Sequence, residues 1–373
     1  MVRTILLLAA LCSATLLGTL PQGLRYETLE RKGPLTIHIL EVDPSKIKIL
    51  PAHAGEEVLA LETVSSMAKR FQATAAINGG FFRSQGAYSG TSAGVLRIGG
   101  EWYSSPRLNR GAIGWRQSED LQVSQTAIDR IALDMALYVD NIRLPINGIN
   151  QPPTITSAIL YTSHFHAATL TSSAFAELSI TGDGQCLIHP GPNAIPADGY
   201  VYSLAPITSI AMPFALPTTC GRPQIVIQTL NHPHDAGIWS LLPNIVGGTP
   251  VLVTDGQVVQ DYAVEHLPDS FAKERHPRTA IGINRQGTWV IAVVDGDNQE
   301  YSIGMTIEEL AHFMHELGCL HALNLDGGSS STLVIEGTIV NSPAGMLSKN
   351  LEDLLGIEKH VSDAILFFSQ EKL

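Results

Sequence analysis

Short apolar runs, most of them closed by glycine, proline or a small polar residue, recur along this chain and limit what it can build. Runs this brief suit strands, because an amphipathic helix shows its 3.6-residue period over roughly ten residues or more. Strands are read at Gly94–Ile98, Ala112–Trp115, Leu121–Ser124, Ala158–Thr162, Phe175–Ile180, Gln224–Gln228, Val251–Val253, Gln257–Gln260, Thr279–Asn284, Trp289–Val294, Leu323–Leu325, Thr332–Glu336 and Thr338–Asn341. Asp255-Gly256 and Glu336-Gly337 sit between apolar runs and are the strongest hairpin turns, since two-residue turns favour residues that tolerate positive φ. Near-alternating residues in Thr36–Leu40 and Lys46–Leu50, with Asp43-Pro44-Ser45 between them, predict a first hairpin.

Two segments carry a helical period instead. Val58 to Phe71 places Val58, Leu61, Val64, Met67, Ala68 and Phe71 on one face. Thr306 with Glu309 forms a capping box ahead of an Ile307, Leu310, Ala311, Phe313, Met314 and Leu317 stripe, and Gly318 ends the helix. No fixed-period repeat, charge block or clear linker divides the chain. The expected fold is an α+β arrangement: a single β-rich domain over residues 22–373, with a mixed or antiparallel sheet and a few covering helices.

The chain has 23 Lys+Arg against 35 Asp+Glu, a formal net charge of −12, so it lacks the global basic footprint that phosphate-tracking proteins need. A nucleic acid partner is not expected. Residues 1–21 open with one arginine, then an apolar stretch from Ile5 to Leu20 that is shorter than a comfortable transmembrane helix, so they read as a signal peptide or an uncleaved anchor. Export to a periplasmic, extracellular or secretory-pathway location follows, with membrane contact only through that segment if it stays attached. Leu11 precedes Cys12 where a lipoprotein signal wants a small residue. Of Cys186, Cys220 and Cys319, none has metal-ligand spacing; buried free thiols are favoured over a Cys186 to Cys220 bridge.

Several chemistry-bearing patterns fail on context. Gly90-Thr91-Ser92-Ala93-Gly94 matches a serine-hydrolase elbow, but a strand follows where a helix is required. His312, His315 and Glu316 share a helix in an order unlike zinc-protease motifs, on the solvated side. Asp295-Gly296-Asp297-Asn298 begins like a calcium loop, yet Glu300 stands where an EF-hand needs glycine. More informative is Ala322 to Val334, where a strand stops at Asp326, Gly327 and Gly328 free the backbone, and Ser329 and Ser330 follow. Such a turn presents a carboxylate at a sheet edge while its N–H groups face an anion; a plain Gly-Ser hairpin capped by Asp326 reads equally well.

INGGFF at 77–82, VGG-P at 246–250, HPRTAIGI at 276–283, VVDG at 293–296, the helix at 304–311 and ALNLDGGSSSTLV at 322–334 together resemble the phosphodiester glycosidase family, over roughly residues 74 to 368. IPADGYV at 195–201 and VNSP at 340–343 are weaker echoes. The chain departs from the family pattern in an acidic insertion around Leu347 to Glu358 and in Ser329, where many members carry a third glycine.

The resemblance implies hydrolysis of a sugar-1-phosphodiester, of the N-acetylglucosamine-1-phosphodiester kind, in envelope or exported glycan metabolism. A phosphate monoester leaves readily, so anion recognition matters more than a strong general acid. On that reading Arg278 grips the phosphate, and Asp326 and Asp295 are the carboxylates that serve the oxocarbenium-like centre. Asn78, Gly79, Gly80, Phe81, Gly247, Gly248, Thr279, Gly327, Gly328, Ser329 and Ser330 would line the substrate. A divalent cation would relieve repulsion between Asp326 and phosphate; no cofactor is otherwise implied. The competing readings are a noncatalytic carbohydrate-binding envelope protein and a metal-dependent phosphodiesterase that cuts the P–O bond.

Overall fold

Trp115 shows how the layers meet: its ring packs edge-on against Trp289 at 5.2 Å, and its Nε1 donates to the Ile49 carbonyl at 2.8 Å. Each of these three residues belongs to a different sheet. The computed structural model describes residues 19–105, 109–122, 124–139, 142–206, 224–229, 236–344 and 357–370. The expected leader, Cys12 and Cys220 lie outside those residues, as does most of the acidic insertion. Strands hold 45% of the chain and helices 11%, so the protein is mostly β, and the α+β expectation holds only in that helices cover a β-rich body.

The first sheet orders Leu24–Arg31, Leu35–Val42, Trp289–Val294, Arg278–Asn284, Cys319–Asn324, Val251–Thr254 and Gln257–Val258, all antiparallel. In Trp289–Val294 every residue is buried, because successive side chains enter different cores. Trp289, Ile291 and Val293 join the inner cluster with Ile49, Ile77 and Ile365, whereas Val290, Ala292 and Val294 meet Leu310, Phe313 and Met314 of the covering helix Ile307–Glu316. That helix carries the expected capping box: Thr306 Oγ1 accepts from the Glu309 N–H at 3.2 Å and Glu309 accepts from the Thr306 N–H at 3.0 Å.

The second sheet orders Thr338–Ile339, Leu333–Ile335, Ala75–Asn78, Asp363–Ser369 and Ile47–His53. Helix Val64–Phe71 covers its outer face through Val64, Met67 and Ala68. It begins later than its periodicity suggested, because Thr63 caps it and Glu62–Thr63 is spent pairing with His360–Val361. A third sheet contains Glu101–Ser104, Arg110–Gln117, Ser124–Val139 and Asn244–Gly247, and a fourth runs Gly148–Ile149, Ala158–Thr162, Tyr200–Leu204, Ala176–Ile180 and Cys186–Pro190. The one parallel pair in the fourth sheet joins Gly148–Ile149 to Ala158–Thr162.

Both predicted two-residue hairpins are present: Thr254 pairs with Gln257 across Asp255 and Gly256, and Ile335 with Thr338 across Glu336 and Gly337, with all four turn residues at positive φ. The expected first hairpin is not. Leu35–Val42 and Ile47–His53 are strands, but they belong to different sheets; the Asp43 turn, closed by Ile47 N–H to the Asp43 carbonyl at 3.0 Å, carries the chain across the core. Leu121–Ser124 is also corrected, since Leu121 turns at φ 60° and the strand is Ser124–Val139. Cys186 is disulfide-bonded, against the free-thiol expectation, while Cys319 is a buried free thiol.

Candidate active site

The strand Ala75–Asn78 ends where three sequence motifs converge, and Asn78 is the latch. Its Nδ2 donates to the Asp326 carbonyl at 2.8 Å, and its Oδ1 accepts from Thr279 Oγ1 at 2.8 Å and from the Thr332 N–H at 3.2 Å. Asn78 and Thr279 are both fully buried, so they hold the site together from beneath. The next two residues lean on Asp363: Gly79 N–H donates to its carbonyl and Gly80 N–H to its Oδ1, each at 2.9 Å. A β-carbon on Gly79 would lie 1.9 Å from Asp363 Oδ1, and one on Gly80 would lie 2.6 Å from the Gly247 carbonyl oxygen. These glycines are required by close approach.

Asp363 is thus the carboxylate against which the INGG turn is built. Its Oδ2 accepts from Ser92 Oγ at 3.2 Å and from Ser362 Oγ, and burial pushes its carboxyl upward against those hydrogen bonds. Ser92, the serine of the failed hydrolase pattern, therefore positions a carboxylate. Sequence reasoning did not single out Asp363 because it lies beyond the acidic insertion, far from the other motifs.

Asp326 sits across from it, held by its own N–H to the Gly79 carbonyl at 3.2 Å. The residue is half-buried, and burial pushes its carboxyl up to about 6. Ser330, the Lys359 charge and the Gly327 N–H, which bonds Oδ1 at 3.0 Å, work in the opposite direction, and the Asp363 charge adds to the rise. Lys359 was likewise missed, being hidden next to the insertion. Its Nζ donates to Ser330 Oγ at 3.2 Å and stands 5.0 Å from the centre of the Phe82 ring. Asn324 Oδ1, Ser331 Oγ and Thr332 Oγ1, which flank the turn, are buried without a hydrogen-bond partner among the described residues. Such atoms are few in folded proteins.

Arg278 and Asp295 have other tasks. The Arg278 guanidinium is buried and turned inward: Nε donates to the Met305 carbonyl, and Nη2 to those of Phe271 and Glu274, all at 2.9 Å. It lies over the Phe271 ring, which in turn meets Phe81 edge-on at 5.9 Å. Desolvation lowers it to about 10, which still leaves it charged at neutral pH. Three of its five N–H donors are thus bound to carbonyls, which makes it a brace behind the Asp326 turn and leaves only the two on Nη1 to meet a phosphate. Asp295 accepts four hydrogen bonds, from His38 Nε2 at 3.0 Å, Tyr301 Oη at 2.9 Å, Asn341 Nδ2 at 3.2 Å and the Ser342 N–H at 2.9 Å. The four fill the usual capacity of a carboxylate. The VNSP echo at 340–343 thus gains a reason, because Asn341 also donates to the Ser331 carbonyl at 3.0 Å and ties Asp295 to the far end of the Asp326 turn.

The glycines are divided between contact and construction. Gly247 and Gly248 are structural: their N–H groups donate to the Val95 and Gly111 carbonyls at 2.7 and 2.9 Å. Gly328 N–H donates to the Pro277 carbonyl at 2.8 Å, so it is not available to an anion. Gly327, Ser329 and Phe81 are half-buried, and with Asp326 and Lys359 they form the solvent-facing part of the cluster, while Ser330 is buried beneath them. Among the described residues no group of three or more His, Cys, Asp or Glu side chains is arranged to hold a metal ion. His312 and His315 are exposed on the covering helix, and no helix among the described residues is long and apolar enough to cross a membrane.

Known proteins resemble the chain in both sequence and fold. N-acetylglucosamine-1-phosphodiester alpha-N-acetylglucosaminidase of Mus musculus is 32% identical over 81 residues, a stretch that is 22% of this chain and 15% of that enzyme. The backbone is similar to a hypothetical protein from Synechocystis, with TM-score 0.76 and 23% identity over 94% of this chain and 62% of the other. A putative exported protein from Burkholderia pseudomallei gives 0.75 and 20% over 90% and 74%. The sequence model of the phosphodiester glycosidase family matches residues 182–368, half of the chain, and spans the Arg278, Asp295, Asp326 and Asp363 segments. The chain belongs to the phosphodiester glycosidase family.

Proposed function

We propose that this protein hydrolyses the bond between a sugar C1 and the oxygen of a phosphodiester, with Asp326 as the reacting carboxylate. The observation that carries the reading is Asp326 itself, a half-buried carboxyl pushed up to about 6 beside the Lys359 ammonium. General bases work best when poised near the operating pH. Ionised, Asp326 stabilises positive charge building at C1 and accepts a proton from the attacking water. The water oxygen bonds C1, the C1–O bond breaks, and its electron pair leaves on the phosphate monoester.

Lys359 replaces Arg278 as the cation that meets the phosphate, because among the described residues its ammonium spends one hydrogen bond, on the Ser330 hydroxyl, whereas three of Arg278's five donors are bound to carbonyls. It also answers the difficulty of placing a carboxylate near a phosphate, since it stands between like charges. Asn78, Asp363 and Arg278 fix the geometry from below, which is where most catalytic precision originates. The similarity to an N-acetylglucosamine-1-phosphodiester glycosidase supports that sugar as first probe. Export through the Met1–Pro21 segment would place the reaction on envelope or exported glycans.

The test uses methyl N-acetylglucosamine-1-phosphate in water enriched in oxygen-18, with and without chelator. Label in the sugar supports C1–O cleavage, and label in phosphate identifies a phosphodiesterase instead. Asp326→Asn should lose at least about a hundredfold in kcat/KM while melting cooperatively; full activity in that variant would end the assignment, and no turnover of any sugar phosphodiester would favour a noncatalytic binder.

A further inference from the structure

A second cleft, of about 640 Å³, opens between the Glu101–Ser104 strand and the fourth sheet, away from the Asp326 turn. Its walls carry Trp102, Tyr200, His164, Ser163, Glu101 and Asp198, and nothing in the catalytic proposal uses them. We propose that this cleft is a saccharide subsite that takes an uncharged pyranose, laid against the Trp102 ring and hydrogen-bonded by Glu101 and Asp198.

The chemistry follows from what the walls offer. A pyranose has an apolar face of C–H bonds and a rim of hydroxyl donors, so it needs a flat aromatic platform and acceptors. Trp102 supplies a fixed platform: Arg97 lies 5.0 Å from its ring centre and is itself tied to the Gly100 and Leu242 carbonyls, each at 3.0 Å. Glu101 and Asp198 are exposed and accept only. Among the described residues lining the cleft there is no lysine or arginine, and Arg97, which stacks on the Trp102 ring, is tied to those two carbonyls, so a phosphate group would meet two carboxylates at the walls. Burial holds the His164 imidazole below its usual range, in the neutral form, and so adds no positive charge. The volume falls within the range of ordinary small-ligand clefts.

The cleft is joined to the catalytic cluster through stacked rings. His164 stacks on Tyr103 at 4.3 Å and 16°, Tyr103 stacks on His53 at 5.4 Å and 23°, and His53 is the cross-strand partner of Asp363. Two rings, Tyr103 and His53, thus separate the His164 wall of the cleft from the carboxylate that supports the INGG turn. A glycan long enough to fill both places would lie with its charged linkage at Lys359 and its neutral end on Trp102. Only that last step rests on the glycosidase reading; the saccharide subsite itself does not.

The test titrates tri-N-acetylchitotriose, maltotriose and glucose 6-phosphate into the full chain, following the Trp102 indole N–H resonance. At least one neutral trisaccharide should shift that resonance, and glucose 6-phosphate should not do so at equal concentration. Trp102→Ala should weaken binding at least about tenfold, read there by calorimetry, and the exposed pair Glu101→Ala/Asp198→Ala should do the same without disturbing the core. Asp326→Asn should bind the trisaccharide as the wild type does, which separates this proposal from the catalytic one. Silence toward both trisaccharides, preference for the phosphorylated sugar, or wild-type binding by the exposed double variant overturns the subsite. Turnover then identifies the occupant. In the double variant, a KM that rises only for a trisaccharide-linked phosphodiester, and not for the methyl diester, marks the substrate's own glycan. KM values unchanged for both diesters mark a separate glycan held at the same subsite.

Discussion

Asp326 has an opposite effect on stability from most aspartates. Its carboxyl holds a proton to about pH 6 in the folded protein, whereas its ordinary value is 3.8. Between those values the unfolded chain ionises and the folded one does not, so stability falls as pH rises through the window and stays lower above it. The penalty is on the order of 2 kcal/mol, lessened by the partial exposure of the residue. Asp326→Asn should therefore melt higher than wild type at pH 7.5, and the difference should vanish below about pH 4; equal melting at both pH values would show that burial does not strain this carboxyl. Lys359 gives a kinetic counterpart. Its charge lowers the Asp326 carboxyl, so Lys359→Met should move the rising limb of the kcat/KM profile from about pH 6 to a higher pH and raise KM for the anionic substrate. An unmoved limb would place Lys359 outside the site. At this scale the sequence was a good guide to position and a poor one to role. HPRTAIGI and VVDG do meet at the site, but whether an arginine faces a ligand or three carbonyls, and whether an aspartate is free or fully hydrogen-bonded, depends on residues far away in sequence. Asp363 and Lys359 had no local signal that distinguished them from the insertion they follow.

Elements were legible where the determinants are local. The Asp255-Gly256 and Glu336-Gly337 turns need positive φ at adjacent positions, and the Thr306 to Glu309 box closes within one helical turn, so a few residues decide each. Strand pairing is decided elsewhere. The Asp43 turn looks the same whether Ile47–His53 folds back on Leu35–Val42 or crosses to pair with Asp363–Ser369, more than 300 residues further on. Asn78 is where these elements are locked, since it bonds Thr279 of the first sheet while standing in the second. Asn78→Ala removes four side-chain hydrogen bonds and leaves the Thr279 hydroxyl and the Thr332 N–H without a buried acceptor, at a cost of about 2 to 4 kcal/mol. Chemical denaturation should show that loss, and activity should fall further than stability accounts for, because the Asp326 carbonyl loses its anchor. A variant of unchanged stability would mean that the sheets are held by their shared core alone.

The whole molecule presents a contrast between far field and near field. A net charge of −12 repels an anionic phosphodiester at long range, while the attraction proposed here comes from one ammonium at contact distance. Salt acts on the two unequally. At 0.01 M ionic strength the Debye length is about 30 Å, comparable with the molecule, and at 0.15 M it is about 8 Å, so added salt removes the diffuse repulsion before it weakens a contact pair. The kcat/KM for a charged sugar phosphodiester should therefore rise between those ionic strengths, carried by KM, in contrast to the fall seen when a basic surface steers its substrate. An uncharged aryl N-acetylglucosaminide, if turned over at all, should show no such dependence. A monotonic fall for the charged substrate would mean that the local field at the Asp326 turn is more positive than Lys359 and the buried Arg278 can make it, and would point to a bound cation as the missing charge.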